Sequence, residues 1–181
     1  MKILILGIGN ILFGDEGLGP HLANIIDEKY EFKSDEHVID VIDGGTLAQR
    51  LIPIITDYDN VLIIDCISAA DGEIGDVYKF DFTDVPDFIT WEGSAHEVEM
   101  LQTLQMIEMM GDLPPTKIVG VIPFVIGENS TFTMTQEVVK ASQIMEKIII
   151  KYIEDFGVQT SIKKNITIEE VSKYTYLKGI L

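Results

Sequence analysis

Met1-Lys2-Ile3-Leu4-Ile5-Leu6-Gly7-Ile8-Gly9-Asn10 opens the chain, and Leu18, Leu22, Ile25 and Ile26 follow it. The run Ile3 to Leu6 is short, continuous and apolar, and it stops in a glycine turn. That is the pattern of a strand buried on both faces. The second group recurs at helical spacing after Pro20, a residue tolerated in a first helical turn. Working outward, the same alternation continues. Val38 to Ile42 reads as a second strand, closed by Asp43-Gly44-Gly45. Thr46 followed by Gln49 is a capping box and predicts a helix start, which Pro53 should shorten or kink. Val61 to Ile64 is the third strand and ends at Asp65. Val77 to Phe82 alternates and reads as an edge or half-exposed strand. Ser94 and Glu97 form a second capping box, ahead of a helix whose buried face is predicted to be Val98, Leu101, Leu104 and Ile107. Lys117 to Val125 is the final strand, with Pro123 near its end. Val138, Ala141, Met145, Ile148, Ile149 and Tyr152 stripe a long last helix. Strands alternating with helices predict an α/β sheet, mostly parallel, with helices on both faces.

The 181 residues are one domain's length. A chain this long buries enough surface to fold without a disulfide or metal staple. Its 46% hydrophobic and 24% charged residues exclude wholesale disorder. With 13 Lys+Arg against 30 Asp+Glu, the net charge is −17. That field repels phosphate backbones and anionic headgroups, so neither nucleic acid nor a membrane surface is an expected partner. The single cysteine, Cys66, can form no internal disulfide and no thiolate zinc cage. It reads as a small buried side chain rather than a nucleophile. No signal peptide and no apolar run of about 18 residues are found, so a cytoplasmic location is expected. Residues 1–156 are expected to form one α/β domain. Residues 157–181 read as a polar tail carrying Lys163, Lys164, Lys173 and Lys178, one that docks as a short helix or stays mobile. Removing it is expected to leave the sheet intact.

Ligands of open α/β sheets bind beyond the carboxyl ends of the strands. Asp15 and Glu16 follow strand one, Asp43 ends strand two, Asp65 ends strand three, and His96 lies in the first turn of the helix after strand four. Gly9-Asn10-Ile11-Leu12-Phe13-Gly14 has the spacing of a phosphate loop. Asp15 and Glu16 then stand where that motif needs Lys and Ser or Thr, so nucleotide binding is not expected. Glu16, Asp65 and His96 together offer two carboxylates and one imidazole, a set suited to zinc, nickel or iron with coordination positions left open. Each has a plain structural reading too: a strand-end carboxylate is often a cap or a solvated rim residue. His21 and His37 read as structural or exposed, and the methionines at 100, 106, 109 and 110 as core filler.

Four motifs in register narrow the choice. The stretch from Gly7 to Gly19, Asp43-Gly44-Gly45-Thr46, Val61-Leu62-Ile63-Ile64-Asp65 and Ser94-Ala95-His96-Glu97 resemble the signatures of the hydrogenase maturation endopeptidases, over residues 1 to about 150. The resemblance implies an α/β/α sandwich with a five-stranded sheet, one strand antiparallel. It implies an aspartyl-type endopeptidase that removes the C-terminal extension of the [NiFe] hydrogenase large-subunit precursor after nickel insertion. The family's metal-binding residues map onto Glu16, Asp65 and His96, which recognise nickel carried by the precursor. Zinc or another divalent ion is expected to substitute in vitro. Asp43 maps onto a functional acid, with general base or substrate binding as its role. Ala48 and Cys66 depart from the family pattern without touching these residues. A monomer is expected. The alternatives are a non-enzymatic nickel-sensing chaperone of the precursor and a small-molecule amidase on the same scaffold. No Ser-His-Asp or Cys-His grouping supports covalent catalysis.

Overall fold

A computed structural model of the chain describes residues 1–90, 95–124 and 131–178, without the side chains of 95, 96 and 176–178. The first strand, β1 (Lys2–Ile8), is buried from Ile3 onward and sits inside the sheet. It pairs in parallel with β3 (Val38–Gly45) on one side and β4 (Asn60–Cys66) on the other. β4 pairs in parallel with β6 (Thr116–Val121), and β6 pairs antiparallel with β5 (Val77–Asp81). The order is therefore β3-β1-β4-β6-β5. The segment predicted over Val77 to Phe82 is thus the odd, antiparallel edge strand that the family resemblance implies, ending at Asp81, where Phe82 opens a 3₁₀ turn. Parallel strands feed helices to both faces. Helices α1 (Leu18–Lys29) and α4 (Gln136–Glu154) cover one face, where Ile3, Ile5, Leu62, Ile64 and Cys66 meet Leu22, Ile26, Met145 and Ile149. α2 (Ile52–Ile55) and α3 (Ala95–Met110) cover the other, over Leu4, Leu6, Val61 and Ile63.

α1 lies almost backbone to backbone on the sheet. A Cβ on Gly19 would fall 2.0 Å from the Ile8 carbonyl oxygen and 2.5 Å from that of Ile64. Glycine is what lets the helix approach this closely, and the approach sets the height of the turn that precedes it.

Several expectations need correction. The Thr46–Gln49 capping box does not form: the segment enters a 3₁₀ turn, Ala48–Leu51, from Leu47, with no side-chain cap, and α2 lasts only from Ile52 to Ile55. Pro53 in the first turn of α2 accounts for part of this, since the helix can begin there but not continue back through it. Ser94 of the second box lies outside the described residues. On α3 the buried face is Met100, Thr103, Leu104 and Ile107, while Val98 is exposed. Met100 is core, whereas Met106, Met109 and Met110 face outward, Met109 at 88% exposure. The last strand stops at Val121, before Pro123; Val125 lies outside the described residues.

The segment after Gly157 holds a strand and a helix. β7 (Gln159–Ile162) pairs antiparallel with β2 (Tyr30–Lys33), a small second sheet, and α5 (Ile168–Lys178) follows. Val158, Ile166, Ile168 and Val171 are buried in the core under α1 and α4. The polar composition hides these four positions, and not every strand precedes the segment.

Candidate active site

Beyond the carboxyl edge of the sheet, the chain leaves β1 at Gly9, turns, and enters the 3₁₀ turn Gly14–Gly17 that leads into α1. Gly9 has φ of +147°, and a Cβ there would fall 1.9 Å from the Glu16 carbonyl oxygen. The Asn10 amide donates to that same oxygen at 3.0 Å. Only glycine leaves room for the turn to fold back over the strand end. Glu16 is thereby held half-buried over the edge, and burial pushes its carboxyl above the usual carboxylate range.

Asp65 is the next-to-last residue of β4 and is 6% exposed. Its Oδ1 accepts from the Cys66 amide at 2.8 Å. Burial, above all, raises its carboxyl well above the ordinary value. Glu97 adds to this, the Cys66 amide opposes it, and Glu16 adds a smaller push in the same direction. Ile63 belongs to the core under α3, so the two-residue period of β4 turns Asp65 toward α3 as well. There it meets Glu97, 3% exposed, whose Oε2 accepts from the Ser68 hydroxyl at 3.4 Å. Glu97 was not among the site residues the sequence suggests, where it figures as a capping-box acid and as the last residue of the fourth motif. Its neighbour His96 is the second residue of α3, and the side chain of His96 lies outside the described residues. Among the described residues no group of three or more His, Cys, Asp or Glu is arranged to hold a metal ion. What they do contain is a buried acid, Asp65, on which the acting charges are the carboxylates of Glu97 and Glu16. A cation arriving at this edge would relieve that repulsion.

Asp43 stands apart. It pairs with Gly7 of β1, which in turn pairs with Ile64, so Asp43 is two strands from Asp65, roughly 10 Å at the usual strand spacing. It is exposed, and its carboxylate lies on the α1 side of the sheet. Asn24 of α1 donates to its Oδ2 at 3.0 Å, and the Gly45 amide donates to Oδ1 at 3.1 Å. Asn24 is a partner the sequence reading missed, although it lies one turn along α1 from His21. His21 is buried, and its Nδ1 has no hydrogen-bond partner among the described residues. Burial lowers the imidazole to about 4, with Asp43 pulling the other way, so His21 is neutral at pH 7. A groove of about 420 Å³ opens beside the Asp43 loop, lined by Thr46 to Arg50 and by Glu99 and Gln102 of α3. Ala48, in that loop, has φ of +38°, a backbone region that favours glycine. The structure thus leaves Asp65 under the repulsion of Glu97 and Glu16 on one face and Asp43 on the opposite face.

The family model described as hydrogenase maturation protease matches residues 20–152. The chain belongs to the hydrogenase maturation protease family. Protein HydD of Wolinella succinogenes is 54% identical over 156 residues, covering 86% of this chain and 98% of HydD. Hydrogenase 2 maturation protease of Escherichia coli is 28% identical over 138 residues, covering 76% of this chain and 82% of that protein. Among solved structures, the hydrogenase maturating endopeptidase HybD from E. coli superposes with a TM-score of 0.74 at 24% identity, over 90% of this chain and 98% of HybD. That likeness establishes the fold. Membership of the family makes the chain a hydrolase, an endopeptidase that processes the C-terminus of hydrogenase large-subunit precursors. It does not favour the chaperone or the small-molecule amidase. No helix among the described residues is long and apolar enough to cross a membrane.

Proposed function

We propose that this endopeptidase acts on the [NiFe] hydrogenase large-subunit precursor once nickel is in place, and that Glu16, Asp65 and His96 meet the metal the precursor carries. The observation that supports this most is the pair of Glu16 and Asp65: both carboxyls are raised by burial, and Asp65 is repelled by its acidic neighbours. A folded protein keeps such a group where a cation arrives to match it. When bound, nickel would act as a Lewis acid at the scissile carbonyl or at a water molecule. The chain's own residues hold two carboxylate oxygens and, by the family resemblance, one imidazole at the sheet edge, and they leave the remaining positions to the precursor's ligands. Zinc or another divalent ion would occupy the same donors in vitro.

Asp43 keeps its place as a functional acid. Its distance from Asp65 and its two fixed hydrogen bonds suit a carboxylate that binds substrate, better than one that removes a proton from a water held by Glu16 and Asp65. The protein is expected to work as a monomer in the cytoplasm. A time course with nickel-loaded and nickel-free precursor tests the reading. Cleavage of the loaded form alone, not restored by adding nickel to the protease, is the expected result. Equal cleavage of both forms would reject a role for nickel.

A further inference from the structure

Asp15 and Glu16 are neighbours, yet only Glu16 faces the rim. Successive residues of a 3₁₀ turn point about 120° apart. Asp15 is turned inward, 3% exposed, and both of its carboxylate oxygens are occupied. The Thr135 amide donates to Oδ1 at 2.6 Å, and the Thr135 hydroxyl and the Phe124 amide each donate to Oδ2 at 2.9 Å. Thr135 is also the N-cap of α4, its hydroxyl accepting from the Val138 amide. The Asp15 charge therefore sits at the positive end of a 19-residue helix. The backbone repeats the connection: the Gly14 amide donates to the Thr131 carbonyl, and the Thr131 amide to that of Leu12. On the opposite side, the buried Cys66 thiol donates to the Asp15 carbonyl oxygen at 3.2 Å. Cys66 follows Asp65, so this contact ties the Glu16-bearing turn directly to the Asp65-bearing strand end.

We propose that Asp15 is the positioning residue for Glu16: its carboxylate clamps the turn to the start of α4 and to residue 124, and the Cys66 thiol pins that turn to Asp65. The inference rests on the reading of Glu16 as a metal-facing group. Charge-assisted bonds from three donors are strong and directional, and they hold both oxygens of this buried acid on the protein rather than toward the rim. Asp15→Asn keeps the size of the side chain but turns an amide NH₂ toward amide and hydroxyl donors, so at least one bond is lost. The turn then gains freedom, and Glu16 loses its fixed position.

The test combines Asp15→Asn and Glu16→Gln, singly and together, in cleavage of nickel-loaded precursor, with backbone amide exchange as a readout independent of activity. Asp15→Asn is expected to lower kcat/KM at least tenfold in the wild-type background and less than twofold in the Glu16→Gln background, because residues acting as one unit are not additive. Exchange at residues 13–16 should accelerate at least tenfold while β1 and β4 stay protected. Thr135→Ser, which keeps the hydroxyl, should stay within twofold of wild type; Thr135→Val should lose at least threefold. Equal losses in both backgrounds, or unchanged exchange at residues 13–16, would overturn the positioning role. Full activity of Glu16→Gln would instead remove the reading of Glu16 itself, and the exchange data alone would then decide whether the clamp exists.

Discussion

Replacing Asp65 by Asn should make the metal-free protein more stable and the enzyme far less active. The side chain keeps its volume, and its Oδ1 still accepts from the Cys66 amide, a hydrogen bond of 2.8 Å. What disappears is a charge buried to 6% exposure and its repulsion by Glu97 and Glu16. The new amide can also donate to those acids. Relief of this kind is worth about 1–2 kcal/mol, or roughly 2–8 °C in Tm for a chain of this size. The gain must depend on pH. Asp65 has a higher pKa folded than unfolded, so the folded state holds the proton more tightly. Its contribution to stability is therefore full below the unfolded value of about 4 and is lost as pH rises through the raised folded value. Asn does not titrate, so the difference between variant and wild type should be near zero at about pH 4 and grow toward pH 8. Thermal and urea unfolding with a chelator present, at several pH values, measures this directly. If Asp65 meets the precursor's metal as proposed, cleavage by the variant should fall at least about 100-fold, since such a group matters at least as much as its outer partners. A variant destabilised at pH 8, or one whose stability difference ignores pH, would refute the reasoning.

Gly19→Ala should cost about 3 kcal/mol or more, because its Cβ would collide with backbone oxygens of Ile8 and Ile64 and lift α1 off the sheet; Gly111→Ala, with φ of +81° and nothing within 4 Å, should cost only about 1–2 kcal/mol of backbone strain by the same urea assay. Truncation after Gly157 should lower Tm sharply or abolish the cooperative transition, since it removes the buried Val158, Ile166, Ile168 and Val171, each worth roughly 1.5–3 kcal/mol when fully buried. An unchanged melting curve would show that this segment is dispensable. Glu146 accepts from the Lys29 ammonium at 2.7 Å and from the Tyr30 hydroxyl at 2.5 Å in a largely buried setting. Glu146→Ala should cost about 2 kcal/mol in equilibrium unfolding, and Glu146→Gln less.

The residues that carry the sheet were legible because their burial leaves a pattern. Ile3 to Leu6 and Val61 to Ile64 are continuous apolar runs because helices cover both sides of them. The pairing of β2 with β7 was not legible: each is only four residues long, and although Tyr30-Glu31-Phe32-Lys33 alternates, the mostly exposed β7 carries no matching pattern that would join the two. The buried Ile168 and Val171 of α5 sit among polar neighbours, and only contact with the core under α1 and α4 singles them out. Val98 illustrates a different limit, since several apolar stripes can be drawn on α3 and the sheet selects the one through Met100 and Leu104. In the candidate site, the strand-end positions of Glu16 and Asp65 were legible. Glu97 could not, because a capping box gives its carboxylate a sufficient local reason. Nor does the adjacency of Asp15 and Glu16 tell which of the two turns inward; the donors of Thr135 and Phe124, more than 100 residues away, decide that.

Intact-mass spectrometry of a nickel-loaded large-subunit precursor, after incubation with wild-type protein and with Glu16→Gln, tests the central claim most directly. Wild type is predicted to yield one product shortened at the C-terminus together with the released peptide, and Glu16→Gln to leave the precursor at full mass over the same period. A precursor left intact by wild type, or the same product formed equally fast by both proteins, would contradict the account.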